Sequence, residues 1–297
     1  MFAALALVGA LLVNGVHAEA TAPVRYAGLT SCPGKDGKRH ICGPWRLWLR
    51  DGRTITLPDA QLRSLGTDGR EERLRAPISV DAYGRFATYF SKSTHKLVVR
   101  DISTGKTTNV AERPSVAMSS LELLVSPGGR YVVIDPDTGS SPTTVVESAT
   151  GKRWSLPDYA RVQGFSPDGK LLRVILDYEE TAVYRPGGAE PSGGVTLVGW
   201  GALTNDGRTL AGASRTHIRF YSTANAMESR RALRIALPAK QSPRRLDWTS
   251  ATGLTMLTLQ EPRRFVARSI NTRTGAVRIT DAFTISDHTW DVHLAGE

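Results

Sequence analysis

PISVDAYGRFATYFSKSTHKLVVRDISTGKTTNVAE, residues 77–112, holds four short runs of strand-forming residues separated by turns. The runs cover 78–80, 86–90 and 97–102, with a short last one ending near Val110, and the two tight turns are Tyr83-Gly84-Arg85 and Thr104-Gly105-Lys106. Runs of β-branched and aromatic residues bounded by glycine turns read as consecutive antiparallel strands. Glycine stands at these turns because a positive φ costs it nothing, whereas a side chain there costs about 1 kcal/mol or more.

The unit recurs. Gly-Arg or Gly-Lys appears at Gly84-Arg85, Gly129-Arg130, Gly169-Lys170 and Gly207-Arg208, spaced by 45, 40 and 38 residues, with a degenerate copy at Thr252-Gly253 a further 46 on. Thr150-Gly151-Lys152 follows Thr104-Gly105-Lys106 by 46, and a third Thr-Gly turn is Thr274-Gly275. Strand-rich repeats of about 40 residues are the signature of propeller blades. Later blades are predicted with strands at 123–125, 131–134, 145–148 and 154–156; at 162–165, 171–176 and 182–185 with a weak outer strand; at 197–202, 209–213, 218–221 and 233–237; and at 246–249, 254–259, 265–270 and 277–283. The ends complement each other: 290–294 reads as an inner strand, and 24–28, 45–49 and 55–57 as three outer strands without an inner one. The expected fold is all-β, a single six-bladed β-propeller of four-stranded antiparallel blades closed by N- and C-terminal strands, which leaves no open ring edge. Five or seven blades stay open as alternatives, because 59–75 is unassigned and carries its own Asp68-Gly69-Arg70.

Phe165-Ser166-Pro167-Asp168-Gly169-Lys170-Leu171, with Ser126-Pro127-Gly128-Gly129-Arg130 as a weaker copy, resembles the F-S-P-D-G-K-x-L repeat of TolB-type and WD-repeat-like propellers. Residues 97–106 are similar to the third strand and turn of the same family. The resemblance implies an architecture shared by periplasmic interaction proteins, extracellular binding proteins and non-catalytic domains of peptidases. Function on such a scaffold resides in its loops.

Residues 1–18 read as a secretory signal, with an apolar stretch at 2–13 and Val16-His17-Ala18 as the cleavage pattern. About a dozen apolar residues fall short of the roughly 20 that span a bilayer. An exported, extracellular monomer is therefore expected, with residues 19–297 as one propeller domain and no transmembrane segment. In an oxidising compartment Cys32 and Cys42 are expected to pair, and His40 beside them to be an exposed loop residue. Two cysteines with no C-x-x-C or His pair make a poor zinc site. No cofactor is expected.

Thirteen of the 38 Lys and Arg lie between Arg215 and Arg278 against three acids, so this segment carries the +10 formal charge of the whole chain. Arg outnumbers Lys 30 to 8, a bias not taken as a nucleic-acid signature. Within the segment, Gln241-Ser242-Pro243-Arg244-Arg245 and Gln260-Glu261-Pro262-Arg263-Arg264 both read Q-x-P-R-R. The strand map sets both on the face opposite the repeated turns, near Arg215 and Lys240. Guanidinium groups recognise carboxylate and phosphate in bidentate fashion, so Arg215, Lys240, Arg244, Arg245, Arg263 and Arg264 are candidate ligands for an acidic protein patch or anionic polymer. The alternative is a solvated rim whose prolines start strands. On the same face Asp135, Asp137, Asp177, Glu179 and Glu180 form a prospective acidic side, without the spacing of a calcium loop.

His288, Asp291 and His293 have side chains suited to a metal or an acid-base pair. They support an alternative reading, a lyase or hydrolase working from the central channel, although strand alternation separates His288 from the other two. No nucleophile elbow, metalloprotease helix or Walker loop occurs. Trp200, Trp248 and Trp290 recur at spacings of 48 and 42 in inner strands, which points to repeated packing rather than a sugar platform.

Overall fold

The computed structural model describes residues 21–297 apart from 36–37, 137–140, 178–179, 189, 192, 197–199 and 261. The expected signal segment lies outside the described residues. Six four-stranded antiparallel blades form a β-propeller. The first blade runs from its inner strand Ile78–Val80 through Phe86–Phe90 and Leu97–Asp101 to Thr107–Ala111, in the order read from the sequence. Blades two to five begin at Leu121–Val125, Arg161–Phe165, Trp200–Leu203 and Gln241–Ser250. In the sixth, the C-terminal strand Thr289–Leu294 pairs with Val24–Pro33, followed outward by Trp45–Leu49 and Thr54–Leu57. Both termini therefore close the ring. The count is six because 63–75, left unassigned above, forms a separate hairpin of Arg63–Leu65 with Glu71–Arg75 in the link between the sixth blade and the first.

The repeated turn has a common chemistry. A side-chain oxygen at the end of each inner strand accepts the amide five residues on: Asp81 from Phe86 at 2.8 Å, Ser126 from Tyr131 at 2.9 Å, Ser166 from Leu171 at 3.0 Å and Thr204 from Thr209 at 3.1 Å. Small oxygen-bearing side chains suit this because they bond backbone locally. The glycine three residues after each of them carries a φ near +70°.

Strand alternation turns alternate apolar residues toward both neighbouring blades, so the core is divided among the blade interfaces. Among the described residues the buried apolar side chains form six clusters, one per interface. The interface of blades five and six is the most aromatic: Tyr26 stacks on Trp48 at 4.8 Å and on Phe283 at 5.7 Å, while Arg25 crosses to Asp281 with two bonds of 2.7 and 2.8 Å. Trp248 is buried against Phe220, as the spacing of the tryptophans suggested, but Trp290 is 45 % exposed and the Trp200 side chain lies outside the described residues.

Cys32 and Cys42 form a disulfide. It closes a hairpin in which Val24–Pro33 pairs with Arg39–Ile41, extending from the sixth blade. A loop of this length gains roughly 2–3 kcal/mol from the cross-link on the chain-entropy account. No helix among the described residues is long and apolar enough to cross a membrane.

Candidate functional site

In a four-stranded meander, links between strands one and two and between three and four emerge on one face. Links between two and three, and between blades, emerge on the other. The glycine turns thus share one face, and the disulfide hairpin, the 63–75 hairpin and the basic loops share the opposite, irregular face.

On that irregular face Arg215, Lys240, Gln241, Ser242 and Pro262 surround one hollow between blades four and five. Arg215 donates to the carbonyl of Ala239, which fixes its side chain across the link between the two blades. The floor is a feature that sequence reading missed. Gln241 is buried, and its Oε1 accepts from Arg268 Nη2 at 2.5 Å while Thr258 Oγ1 accepts from Arg268 Nη1 at 2.6 Å. Among the described residues Arg268 is thus a buried cation met by neutral side-chain oxygens, and burial lowers its pKa. The available signal was an arginine inside the otherwise apolar run Phe265-Val266-Ala267-Arg268-Ser269-Ile270. Among the described residues no carboxylate lies within 4 Å of Arg215, Lys240, Arg264 or Arg268. Arg263 is a tether: it donates to the carbonyls of Ser286 and Thr289 at 2.8 and 3.2 Å and lies 3.6 Å from Asp287, holding the entry to the closing strand. Arg264 is exposed at the start of Arg264–Asn271.

The second Q-x-P-R-R copy is placed differently from the strand map. Gln241–Ser250 is a single ten-residue inner strand, so Arg244 and Arg245 lie in the wall of the central channel rather than on the rim. An inner strand has one edge facing the channel, where no ladder donor is required, and there a proline such as Pro243 does not end pairing. Arg245 bonds Asp247 at 2.5 Å and reaches the Ala82 carbonyl of the first blade at 3.4 Å, and Arg244 lies 3.9 Å from Glu297.

The channel encloses about 520 Å³ and passes from Arg75 and Met118 on the irregular face to Tyr83 and Pro127 at the turns. Its wall includes Arg173 and His293. The structure does not bring His288, Asp291 and His293 together. His288 Nδ1 faces Arg39 Nη2 at 2.5 Å on the disulfide hairpin, Asp291 pairs with Arg75 at 2.5 Å, and His293 sits edge-on to Trp45 at 5.8 Å. Among the described residues no group of three His, Cys, Asp or Glu could hold a metal ion. The acidic side is also reduced: Asp135 is buried within Tyr131–Pro136 and accepts from Thr143 at 3.0 Å, Asp177 and Glu180 are exposed, and Asp137 and Glu179 lie outside the described residues.

Burial, with Arg75 nearby, pushes the His293 imidazole down to about 4. An unfolded chain protonates this histidine near 6.5. Between those values the unfolded state binds the extra proton, so the stabilisation is complete above pH 6.5 and is lost as pH falls toward 4. The loss amounts to roughly 3 kcal/mol. Asp291 and Glu297, whose carboxyls burial raises, act in the opposite direction, so the comparison must be with a variant. His293→Gln should flatten the fall in urea midpoint between pH 6.5 and 4.5 relative to the wild type. Parallel profiles would show that His293 protonates over the same pH range in the folded protein as in the unfolded chain.

No family model and no curated protein matches the sequence; the TolB-like resemblance therefore rests on the repeated turn motif. Solved structures similar in fold include a nidogen/laminin complex at 9 % identity and TM-score 0.49, covering 91 % of this chain and 98 % of the other. An oligogalacturonate lyase in complex with manganese is similar at 12 % identity and TM-score 0.46, covering 90 % and 76 %. Porphyromonas gingivalis dipeptidyl peptidase 4 follows at 13 % identity and TM-score 0.43, covering 71 % and 40 %. At these identities the likeness extends to the propeller fold alone.

Proposed function

We propose that this propeller is an exported interaction scaffold that binds an anionic partner, an acidic protein patch or cell-envelope polymer, through the irregular face between blades four and five. One observation carries the reading: Arg215 and Lys240 border one hollow, Arg268 is locked behind its Gln241 floor, and among the described residues no carboxylate neutralises them. A structural rim would pair its cations internally, as Arg25 does with Asp281. Rigid blades hold these cations in fixed relation, which lowers the ordering cost of binding. The disulfide hairpin adds Lys35, Lys38, Arg39 and His40 to the same face, and long-range steering of an acidic partner follows.

The triple variant Arg215→Ala, Lys240→Ala, Arg264→Ala removes exposed side chains and should leave the unfolding midpoint nearly unchanged. Each cation near an anionic surface contributes about 1 kcal/mol at most, so retention on immobilised cell-envelope material or polyglutamate should weaken roughly 10- to 100-fold. The dependence of retention on salt should become shallower. An unchanged salt slope overturns the proposal.

A further inference from the structure

The internal arginine of the third blade has no structural account in the propeller itself. Arg173 lies in Leu172–Leu176, is 5 % exposed, and lines the central channel. Among the described residues one of its five N–H donors is used, by the carbonyl of Gln163 at 2.9 Å. Among the described residues no carboxylate lies within 4 Å of it. The other internal arginine, Arg268, is met by two side-chain oxygens; Arg173 is not. Burying a guanidinium without a counter-ion is costly, and apolar packing would be served better by leucine, as at Leu172 beside it.

Local geometry directs this cation inward. A register shift between Val162 and Gly164 sets Arg173 opposite Gly164, so the inner strand places no side chain of its own at that position. His293 also lines the cavity, but its Nε2, without a hydrogen-bond partner among the described residues, is buried away from the open space. The remaining wall mixes apolar side chains, such as Phe165 and Trp248, with polar ones, among them Glu122, Ser166 and Glu297. A volume of about 520 Å³ falls in the range of small-molecule sites, which combine apolar walls with a few fixed polar groups.

We propose that the central channel binds one small organic carboxylate, its carboxylate on Arg173 and its apolar body against the Phe165 and Trp248 side of the wall. Arg245 is committed to Asp247 and Ala82, and shapes the turn-face end of the cavity. Burial draws the Arg173 guanidinium down to about 10 while Asp247 opposes the shift, so it remains charged at neutral pH. A carboxylate forms two parallel bonds to such a fork. Inorganic phosphate offers the same charge without the apolar body and leaves most of the cavity unfilled.

Equilibrium dialysis of the full chain tests this with 2-naphthoate, its uncharged twin 2-naphthamide, and inorganic phosphate. The wild type should bind one equivalent of 2-naphthoate, with 2-naphthamide about tenfold weaker or absent and phosphate failing to compete. Arg173→Gln should weaken 2-naphthoate about tenfold or more, and the exposed-turn variant Lys106→Ala should leave it unchanged. Should Arg173→Gln not fold, Arg173→Lys keeps the charge but loses the fork, and a severalfold weakening is expected. The proposal is overturned if the wild type binds no 2-naphthoate, if acid and amide bind alike, if phosphate competes equally, or if the Arg173 variants bind like the wild type. None of these outcomes bears on the rim, whose test uses different residues and an acidic polymer.

Discussion

Replacing Gly84 by alanine is expected to destabilise the propeller by about 3–5 kcal/mol, a large share of the stability of an ordinary domain. Two costs combine at this position. Its φ of +67° lies in the left-handed region, where a side chain costs about 1 kcal/mol or more. A Cβ there would also stand 2.3 Å from the Val24 carbonyl oxygen and 2.5 Å from the Val24 nitrogen. Both contacts are backbone, so relief requires moving the strand that closes the ring, and the Val24 amide would lose its 2.9 Å bond to the Gly84 carbonyl. Gly52 is the control: its φ is +86°, nothing lies within 4 Å of an added Cβ, and Gly52→Ala should cost only about 1 kcal/mol. Urea unfolding of the two variants checks the contrast. Equal losses would show that ring closure does not pass through the contact of Gly84 with Val24.

Trp45→Ala should cost a similar 3–5 kcal/mol. Trp45 is fully buried at the junction of the closing blade and the first, packed with Leu47, Ile78 and Tyr89, and its indole nitrogen donates to the Gln61 carbonyl at 3.1 Å. Truncation leaves a large cavity and an orphaned carbonyl. It also removes the ring that lies edge-on to His293, so water reaches the imidazole and its pKa returns toward the ordinary value. The two effects are separable. Stability at pH 7 should fall, and the His293-linked loss expected of the wild type between pH 6.5 and 4.5 should shrink. A loss below about 1 kcal/mol would place the closing core elsewhere.

Much of the architecture was legible because its determinants are local. The period-two pattern, the glycines at positive φ and the oxygen-bearing residues ending inner strands act over a few residues, and their recurrence at about 40 gave six blades with the termini in one of them. Boundaries were less legible. The outer strand of the fourth blade is Glu228–Arg234 rather than 233–237, because pairing with His217–Ser222 begins earlier and passes two register shifts.

The candidate sites divide along the same line. Arg215, Lys240 and Arg264 were readable as exposed cations because loops joining strands must emerge on a face, and the face follows from strand order. The twin Q-x-P-R-R motifs look alike in sequence but have different fates. Pro262-Arg263-Arg264 sits at a turn, whereas Pro243-Arg244-Arg245 is taken into an inner strand, since pairing with Gly253–Gln260 extends back to Gln241. Only long-range pairing decides such a difference.

The sequence by itself determined the all-β class, a propeller ring closed by both termini, the disulfide candidates and the face on which the basic loops gather, because each depends on local backbone preference or on chain order; the count of six waited on the hairpin at 63–75. Tertiary structure alone decided that Arg244 and Arg245 belong to the channel, that Arg268 underlies the rim hollow, that His288, Asp291 and His293 face three different partners, and that Arg173 is buried against the cavity with no carboxylate within 4 Å among the described residues. These are statements about which distant segments share a space, and charge balance and burial are properties of that space rather than of any segment.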